Sequence, residues 1–307
     1  MTEAEAILRG DRGALARGLT LVENGGDEAA ALLDSVWPHA QGARRIGLTG
    51  PPGAGKSTLS GGLVRLFRAQ QKSVGVIAVD PTSPFSGGAL LGDRHRLSNE
   101  AKDADVFMRS LASRGASGGL ARAAPDALDL GAAAGFDPVF VDTFGVGQTE
   151  LEVAGSADSV VVVLSPESGD AVQAMKAGLL EIADVLCVNK SDRDGSEALA
   201  SALESMLDNR PDDLWRPPVV RTEATRDAEP LFSALQRHER WLAEEDRLAV
   251  RRRKGMEARL RRLVESVLCE RLLAGASDTL AAEADEVSAG RSSVRSAAER
   301  AAEAILK

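Results

Sequence analysis

Gly50-Pro51-Pro52-Gly53-Ala54-Gly55-Lys56-Ser57 fits the pattern G-x-x-x-x-G-K-[ST], directly after the apolar run Arg45–Thr49 and directly before a helical pattern. Few folds accommodate that arrangement. The glycines permit a tight loop whose N–H groups converge on phosphate oxygens, and the helix that follows adds the positive end of its dipole. Lys56 is placed to reach the β and γ phosphates, and the Ser57 hydroxyl to ligate Mg2+. Gly53, Ala54, Gly55, Lys56, Ser57 and Thr58 are therefore the candidate phosphate-binding residues, with Lys56 also a catalytic candidate.

The rest of the chain follows the same α/β logic. Short β-rich runs recur at Val74–Asp80, Asp105–Arg109, Pro138–Thr143, Ser159–Ser165, Asp184–Asn189 and Pro218–Thr222. Several are almost purely apolar, as strands are when helices cover both faces of the sheet. Between them run helical stripes: Leu59, Leu63, Leu66 and Phe67; Leu199, Leu203, Met206 and Leu207; Leu231, Leu235, His238 and Leu242. The expected fold is α/β, a mostly parallel sheet flanked by helices, with ligand-binding loops beyond the carboxyl ends of the strands. Residues 1–42 read as a helical extension, 43–242 as the nucleotide-binding domain and 243–307 as a helical, heavily charged arm. In that arm Arg251, Arg252, Arg253, Lys254, Arg259, Arg261 and Arg262 accompany a stripe of Leu260, Leu263, Val264, Val267 and Leu268. The basic run reads either as a solvated helix face or as an arm that docks on a partner subunit. The last thirty residues, rich in Ala, Ser and Glu, are expected to fray.

Charge and composition remove other classes. With 46 acidic against 37 basic side chains the net charge is -9, which argues against a broad nucleic-acid or anionic-membrane surface. Aromatic residues are 3% of the chain and tyrosine is absent, so a base-stacking platform is hard to build. No apolar run is long enough to cross a bilayer, and the N-terminus does not resemble a signal peptide. A cytoplasmic protein is expected, with Cys187 and Cys269 as two buried thiols.

Two further motifs choose the base and the switch. Asn189-Lys190-Ser191-Asp192 ends a predicted strand and resembles the N-K-x-D element of GTPases. The Asp192 carboxylate would accept from guanine N1–H and the 2-amino group, a pairing that adenine does not offer. Thr222-Glu223-Ala224 follows the last strand, where Glu223 and Ala224 would support the base. Asp142-Thr143-Phe144-Gly145 has the form D-x-x-G, placing a carboxylate near Mg2+ and the Gly145 amide near the γ-phosphate, where it can sense hydrolysis. The expected ligands are GTP or GDP with Mg2+.

With these motifs in place, a family resemblance becomes specific. Asp80-Pro81-Thr82-Ser83-Pro84 with Gly87-Gly88 and Leu91-Gly92-Asp93-Arg94 resembles the switch region of the MeaB (ArgK-type) GTPases. Phe107-Met108-Arg109-Ser110, Gly145-Val146-Gly147-Gln148-Thr149-Glu150 and Ser168-Gly169-Asp170 with Gln173 and Lys176 extend the likeness. The resemblance implies a chaperone that gates cofactor loading and protects or reactivates an adenosylcobalamin-dependent acyl-CoA mutase of the methylmalonyl-CoA mutase type. It also implies a homodimer built by the C-terminal arm and contact with the mutase near Gln173 and Lys176. Asp80, Asp93 and Asp142 become the acidic candidates around Mg2+ and the attacking water, for both catalysis and metal binding, alongside Ser57 as metal ligand. One departure stands out: the family usually has glutamate where this chain has Asp142. No glutamine directly follows Gly145, so slow intrinsic turnover is expected; Gln148, Arg109 and Arg114 are weaker candidates for assisting the reaction.

Three rivals are open at this stage. A nickel-delivery GTPase would tend to carry His-rich or Cys/His tracts, whereas this chain has three scattered histidines and two apolar cysteines. A kinase of the older ArgK interpretation would place phosphate on an acceptor. A non-enzymatic scaffold would tolerate loss of Lys56. Among the histidines, His238 reads as a core residue, His95 as a polar switch-loop residue and His39 as linker.

Overall fold

The computed structural model describes residues 1–80, 100, 103–112, 119–143, 155–168, 179–208, 215–224, 226–273 and 276–306. Its compact units are Met1–Leu248 and Ala249–Lys307.

The first unit is built on an all-parallel sheet. Among the described residues its strands are β1 (Arg45–Thr49), β2 (Val74–Asp80), β3 (Val106–Ala112), β4 (Val139–Thr143), β5 (Ser159–Leu164), β6 (Val185–Asn189) and β7 (Val219–Thr222). Their order across the sheet is β3-β2-β4-β1-β5-β6-β7. β1 lies between β4 and β5, with Leu48 in register with Asp142 on one side and with Val161 on the other. From β1 the chain winds first toward β2 and β3 and later toward β5, β6 and β7. That reversal beside β1 is the point where sheets of this type bind ligands.

The unbroken apolar runs are explained by burial on both faces. Along β5, Val160, Val162 and Leu164 enter one core while Val161 and Val163 enter another. Along β4, Val139 and Val141 face away from Phe140 in the same manner. Helix α4 (Lys56–Ala69) covers the Phe140 side with Leu59, Leu63 and Phe67. Phe67 meets Phe140 edge to face at a centroid distance of 5.8 Å, a geometry that aromatic quadrupoles favour. The opposite face is closed by α5 (Gly119–Ala133), and Leu203 and Leu207 of α7 (Ser196–Leu207) pack beside β6; the short α6 (Leu179–Ile182) precedes β6.

The N-terminal segment forms α1 (Glu3–Leu8), α2 (Arg12–Asn24) and α3 (Asp27–Val36). α1 begins with a capping box in which Thr2 and Glu5 bond each other's backbone N–H, and Asp11 caps α2 by accepting from Ala14 N–H. Ile7, Leu15, Leu19, Val22, Leu32 and Val36 share one core with Ile77, Val79, Leu111 and Leu128. α2 also screens the sheet edge. The Arg12 guanidinium donates to the carbonyls of Ala104, just before β3, and Val106, its first residue, at 2.5 Å each, and so covers the start of an edge that could otherwise pair with another chain.

Helix α8 (Glu229–Ala243) buries Leu231, Leu235, His238 and Leu242. His238 is a core residue, as its stripe implies. Its Nδ1 lies 2.8 Å from Ser159 Oγ, its Nε2 3.4 Å from Asp184 Oδ1, and its ring stacks on Trp241.

In the second unit α9 (Arg247–Leu273), whose first residues belong to the first unit, is followed by α10 (Ser277–Ser288) and α11 (Val294–Ile305). The C-terminal residues expected to fray are therefore helical: Ser293 caps α11, and Arg300 pairs with Glu283 across to α10. A second correction concerns the thiols: Cys187 is buried in β6, but Cys269 is exposed on α9. Leu260, Val264, Val267 and Leu268 of the same helix are exposed as well. An apolar stripe in a sequence marks amphipathicity and leaves open what, if anything, covers it.

Candidate functional site

Because every strand is parallel, the loops after β1, β4, β5, β6 and β7 gather at one edge of the sheet. The phosphate loop leaves β1 at Gly50 with φ of 144°. A Cβ at Gly50 would collide with the carbonyl oxygen of Val163 on β5, so only glycine lets the loop start so close to the neighbouring strand. Gly55 adopts φ of 95° as the cap of α4, and a Cβ there would collide with the side-chain amide of Asn189. Lys56 and Ser57 open α4 and both are buried. The Lys56 ammonium donates to the carbonyls of Gly50 at 2.7 Å and Pro51 at 3.0 Å, which satisfies a charge held away from water. It thus stands across the loop, on the side where phosphates would sit.

Asp142 is buried at the end of β4, with Leu48 of β1 and Ala78 of β2 as its register partners. Asp142 hence stands near the end of β4, and Ser57 opens the helix that follows the adjoining strand β1. A hydroxyl and a carboxylate are hard oxygen donors, and Mg2+ typically takes one or two such protein ligands with phosphate and water completing the shell. The residues present fit that ion. β2 closes on Asp80 in register with Ala112. The Asp80 side chain, Asp93 and Gly145 lie outside the described residues, as do His95, Arg114, Gln148, Gln173 and Lys176.

The base loop follows β6. Asn189 Nδ2 donates to the Ala54 carbonyl at 2.7 Å, and its Oδ1 accepts from Thr222 Oγ1 at 3.2 Å and from Ala224 N–H at 3.1 Å. One buried amide therefore joins the phosphate loop, the N-K-x-D loop and the turn after β7. Lys190 turns the chain with φ of 56°, Ser191 N–H donates to the Thr222 carbonyl at 3.0 Å, and Ser196 Oγ donates to the Ser191 carbonyl at 3.0 Å. These bonds present Asp192 half-exposed, with Arg193 Nε 3.7 Å from its Oδ2. Glu223 is held by a bridge to Asp227 and an ion pair with Arg226 at 3.1 Å.

Two participants escape a motif reading. Cys187 Sγ lies 3.1 Å from Thr222 Oγ1, within hydrogen-bond reach beneath the base loop. Burial pushes the Cys187 thiol up to about 12, so it stays protonated and inert. Glu167, in the turn after β5, pairs with Lys190 Nζ at 3.3 Å. A bond from its own backbone N–H, then the Ser165 hydroxyl and Lys190, hold its carboxyl below the ordinary range. Neither residue belongs to a spacing pattern; strand order brings them in.

Arg109 is removed from the reaction. It lies on β3, separated from β1 by β2 and β4, and its guanidinium donates to Thr20 Oγ1 at 2.8 Å and lies 3.8 Å from Glu23 of α2. It ties the N-terminal helices to the sheet and is not at the phosphate edge.

Residues 15–277 match a family described as methylmalonyl Co-A mutase-associated GTPase MeaB. A Pyrococcus abyssi protein carrying a provisional GTPase name is 45% identical over 86% of this chain and 83% of its own length. GTPase ArgK of Escherichia coli is 40% identical over 73% of this chain and 71% of its own. Among solved structures, a protein titled LAO/AO transport system kinase superposes with a TM-score of 0.75 at 28% identity, covering 99% of this chain and 97% of that one.

Proposed function

This chain belongs to the MeaB family of GTPases, and from that premise we propose that it hydrolyses GTP to GDP and phosphate and couples its nucleotide state to an adenosylcobalamin-dependent acyl-CoA mutase. The observation that carries the reading is Asn189, whose amide fastens the phosphate loop to a loop presenting a half-exposed carboxylate. That geometry suits one ligand with phosphates at one end and guanine at the other.

The residues divide the work. The amides of Gly53, Ala54 and Gly55 and the start of α4 receive phosphate oxygens, with Thr58 in the same turn. Lys56 exchanges its carbonyl partners for β and γ oxygens. Ser57 and Asp142 hold Mg2+, with Asp80 and Asp93 as further acidic groups and Gly145 as the sensor of the γ-phosphate. Bound there, Mg2+ neutralises charge that builds on the phosphate oxygens. Asp192 reads guanine while Asn189, Lys190, Glu223 and Ala224 keep it in place. Phosphoryl transfer asks for positioning and charge neutralisation, and with no glutamine directly after Gly145 intrinsic turnover is slow until a partner binds.

We assign the mutase contact to the Gln173 and Lys176 segment, and dimer formation to the helical arm at 243–307, supported by the exposed Leu260, Val264, Val267 and Leu268. No described helix is long and apolar enough to cross a membrane. The test is retention of a cobalamin-dependent subunit on the immobilised protein with a non-hydrolysable GTP analogue and with GDP. Release of phosphate to water, with no phosphorylated acceptor, separates this reading from a kinase. A protein that turns over GTP without nucleotide-sensitive retention of such a subunit would lose the chaperone role and keep the GTPase one.

A further inference from the structure

The turn after β5 places one carboxylate against both cations of the base loop. Ser168 Oγ accepts from Ser165 N–H at 3.1 Å and fixes the turn Pro166–Ser168. Pro166 Cβ lies 3.8 Å from where a Cβ on Gly195 would stand, so the turn abuts the end of the base loop. Glu167 Oε2 is 3.3 Å from Lys190 Nζ, and its Oε1 is 4.0 Å from Arg193 Nε. Arg193 also stands 3.7 Å from Asp192 Oδ2, nearly equidistant from the two carboxylates.

That sharing matters for guanine. Asp192 must offer one oxygen to N1–H and one to the 2-amino group. A guanidinium that closes on Oδ2 takes the lone pairs one of those donors requires. Glu167 supplies a competing anion for Arg193, which stands between the two carboxylates, and it engages Lys190 with its other oxygen.

We infer that Glu167 is a positioning residue for guanine recognition, competing with Asp192 for Arg193 so that both oxygens of Asp192 stay available to the base. The inference rests on the reading of this loop as the guanine site. All four side chains are partly exposed, so the effect is that of surface pairs, about twofold to about fivefold in affinity.

The test is calorimetric titration of the full-length protein with GDP and with IDP, which lacks the 2-amino group. The wild type, Glu167→Ala, Arg193→Ala and the double variant are compared. Glu167→Ala is expected to weaken GDP more than IDP, by about threefold against little change, so the GDP preference narrows. Adding Arg193→Ala to Glu167→Ala restores the preference, because the intruding cation is gone; a cycle of this kind isolates the pairwise effect. Unchanged GDP binding in Glu167→Ala overturns the inference, as does an equal loss for GDP and IDP that Arg193→Ala leaves in place. A wild type without preference for GDP over IDP overturns the guanine-site reading itself.

Discussion

The side-chain amide of Asn189 donates to the carbonyl of Ala54 across 2.7 Å, joining the loop after β6 to the loop after β1. Its oxygen accepts from Thr222 and from the Ala224 N–H, so phosphate and base loops share one fastening. Asn189→Ala leaves the Ala224 N–H and the Ala54 carbonyl without these partners, at about 1–3 kcal/mol. Denaturant unfolding should show that loss, and GDP affinity should fall at least tenfold. Gly55→Ala should act on the same fastening from the other side, since its Cβ would displace Asn189. Nucleotide binding unaffected by both substitutions would separate the two loops functionally.

Asp142 governs the response to the metal. The residue is buried beside β1 in register with Leu48, and Asp142→Asn keeps the shape while removing the charge. GTP affinity in Mg2+ is expected to drop about tenfold, the worth of one charge-assisted ligand. Affinity in EDTA should barely change. A variant whose Mg2+ dependence equals that of the wild type would take Asp142 out of the metal shell.

The thiols should differ sharply in reactivity. Cys269 is exposed and Cys187 buried, so an aromatic disulfide reagent should titrate one thiol in the native protein and the second only on unfolding. The raised Cys187 value also sets an alkaline limit. In the unfolded chain that thiol ionises near its ordinary value of 9.0, while the folded one ionises at about 12. Its contribution to stability is therefore complete below pH 9 and is lost as pH rises toward 12. The chain has no tyrosine to obscure this window. Cys187→Ala should flatten the decline in stability between those pH values; an equally steep decline would assign it to lysines.

How much of this was legible depends on the kind of signal. β1 and β2 begin and end where their apolar runs do, because burial on both faces writes strand length directly into composition. β3 reaches Ala112 rather than Arg109, since Ser110 and Leu111 continue the ladder against Ala78 and Val79 without adding a distinctive run. Arg109 lies away from the phosphate loop for a topological reason: a motif in sequence does not say how many strands separate it from β1. Glu167 carried no motif at all, and only the adjacency of β5 and β6 sets it against Lys190. The phosphate loop and N-K-x-D were legible because their chemistry requires fixed spacing within one turn.

The N-terminal helices should prove inseparable from the sheet. Leu19 is fully buried, and Ile7, Leu15 and Val36 share its core with Ile77 and Leu111. Leu19→Ala is expected to cost about 2–5 kcal/mol by cavity formation. Removal of residues 1–42 would expose the whole of that core and uncover β3, so the truncated protein should be insoluble or aggregate. Circular dichroism and light scattering on the two variants check this. A soluble, GDP-binding truncation would show that the helices decorate the nucleotide unit instead of completing it.

The stripe on α9 leads to the last expectation. Leu260, Val264, Val267 and Leu268 are exposed on a helix whose other positions are rich in arginine. Each such side chain gains about 1.5–3 kcal/mol when fully buried, enough collectively to hold two arms together. Leu260→Glu with Leu268→Glu places charges in that stripe and should convert a dimer to a monomer in multi-angle light scattering. GDP binding should survive, because the phosphate and base loops lie within residues 1–248. A wild type that is monomeric at tens of micromolar, or a doubly charged variant that still dimerises, would remove α9 from the subunit contact.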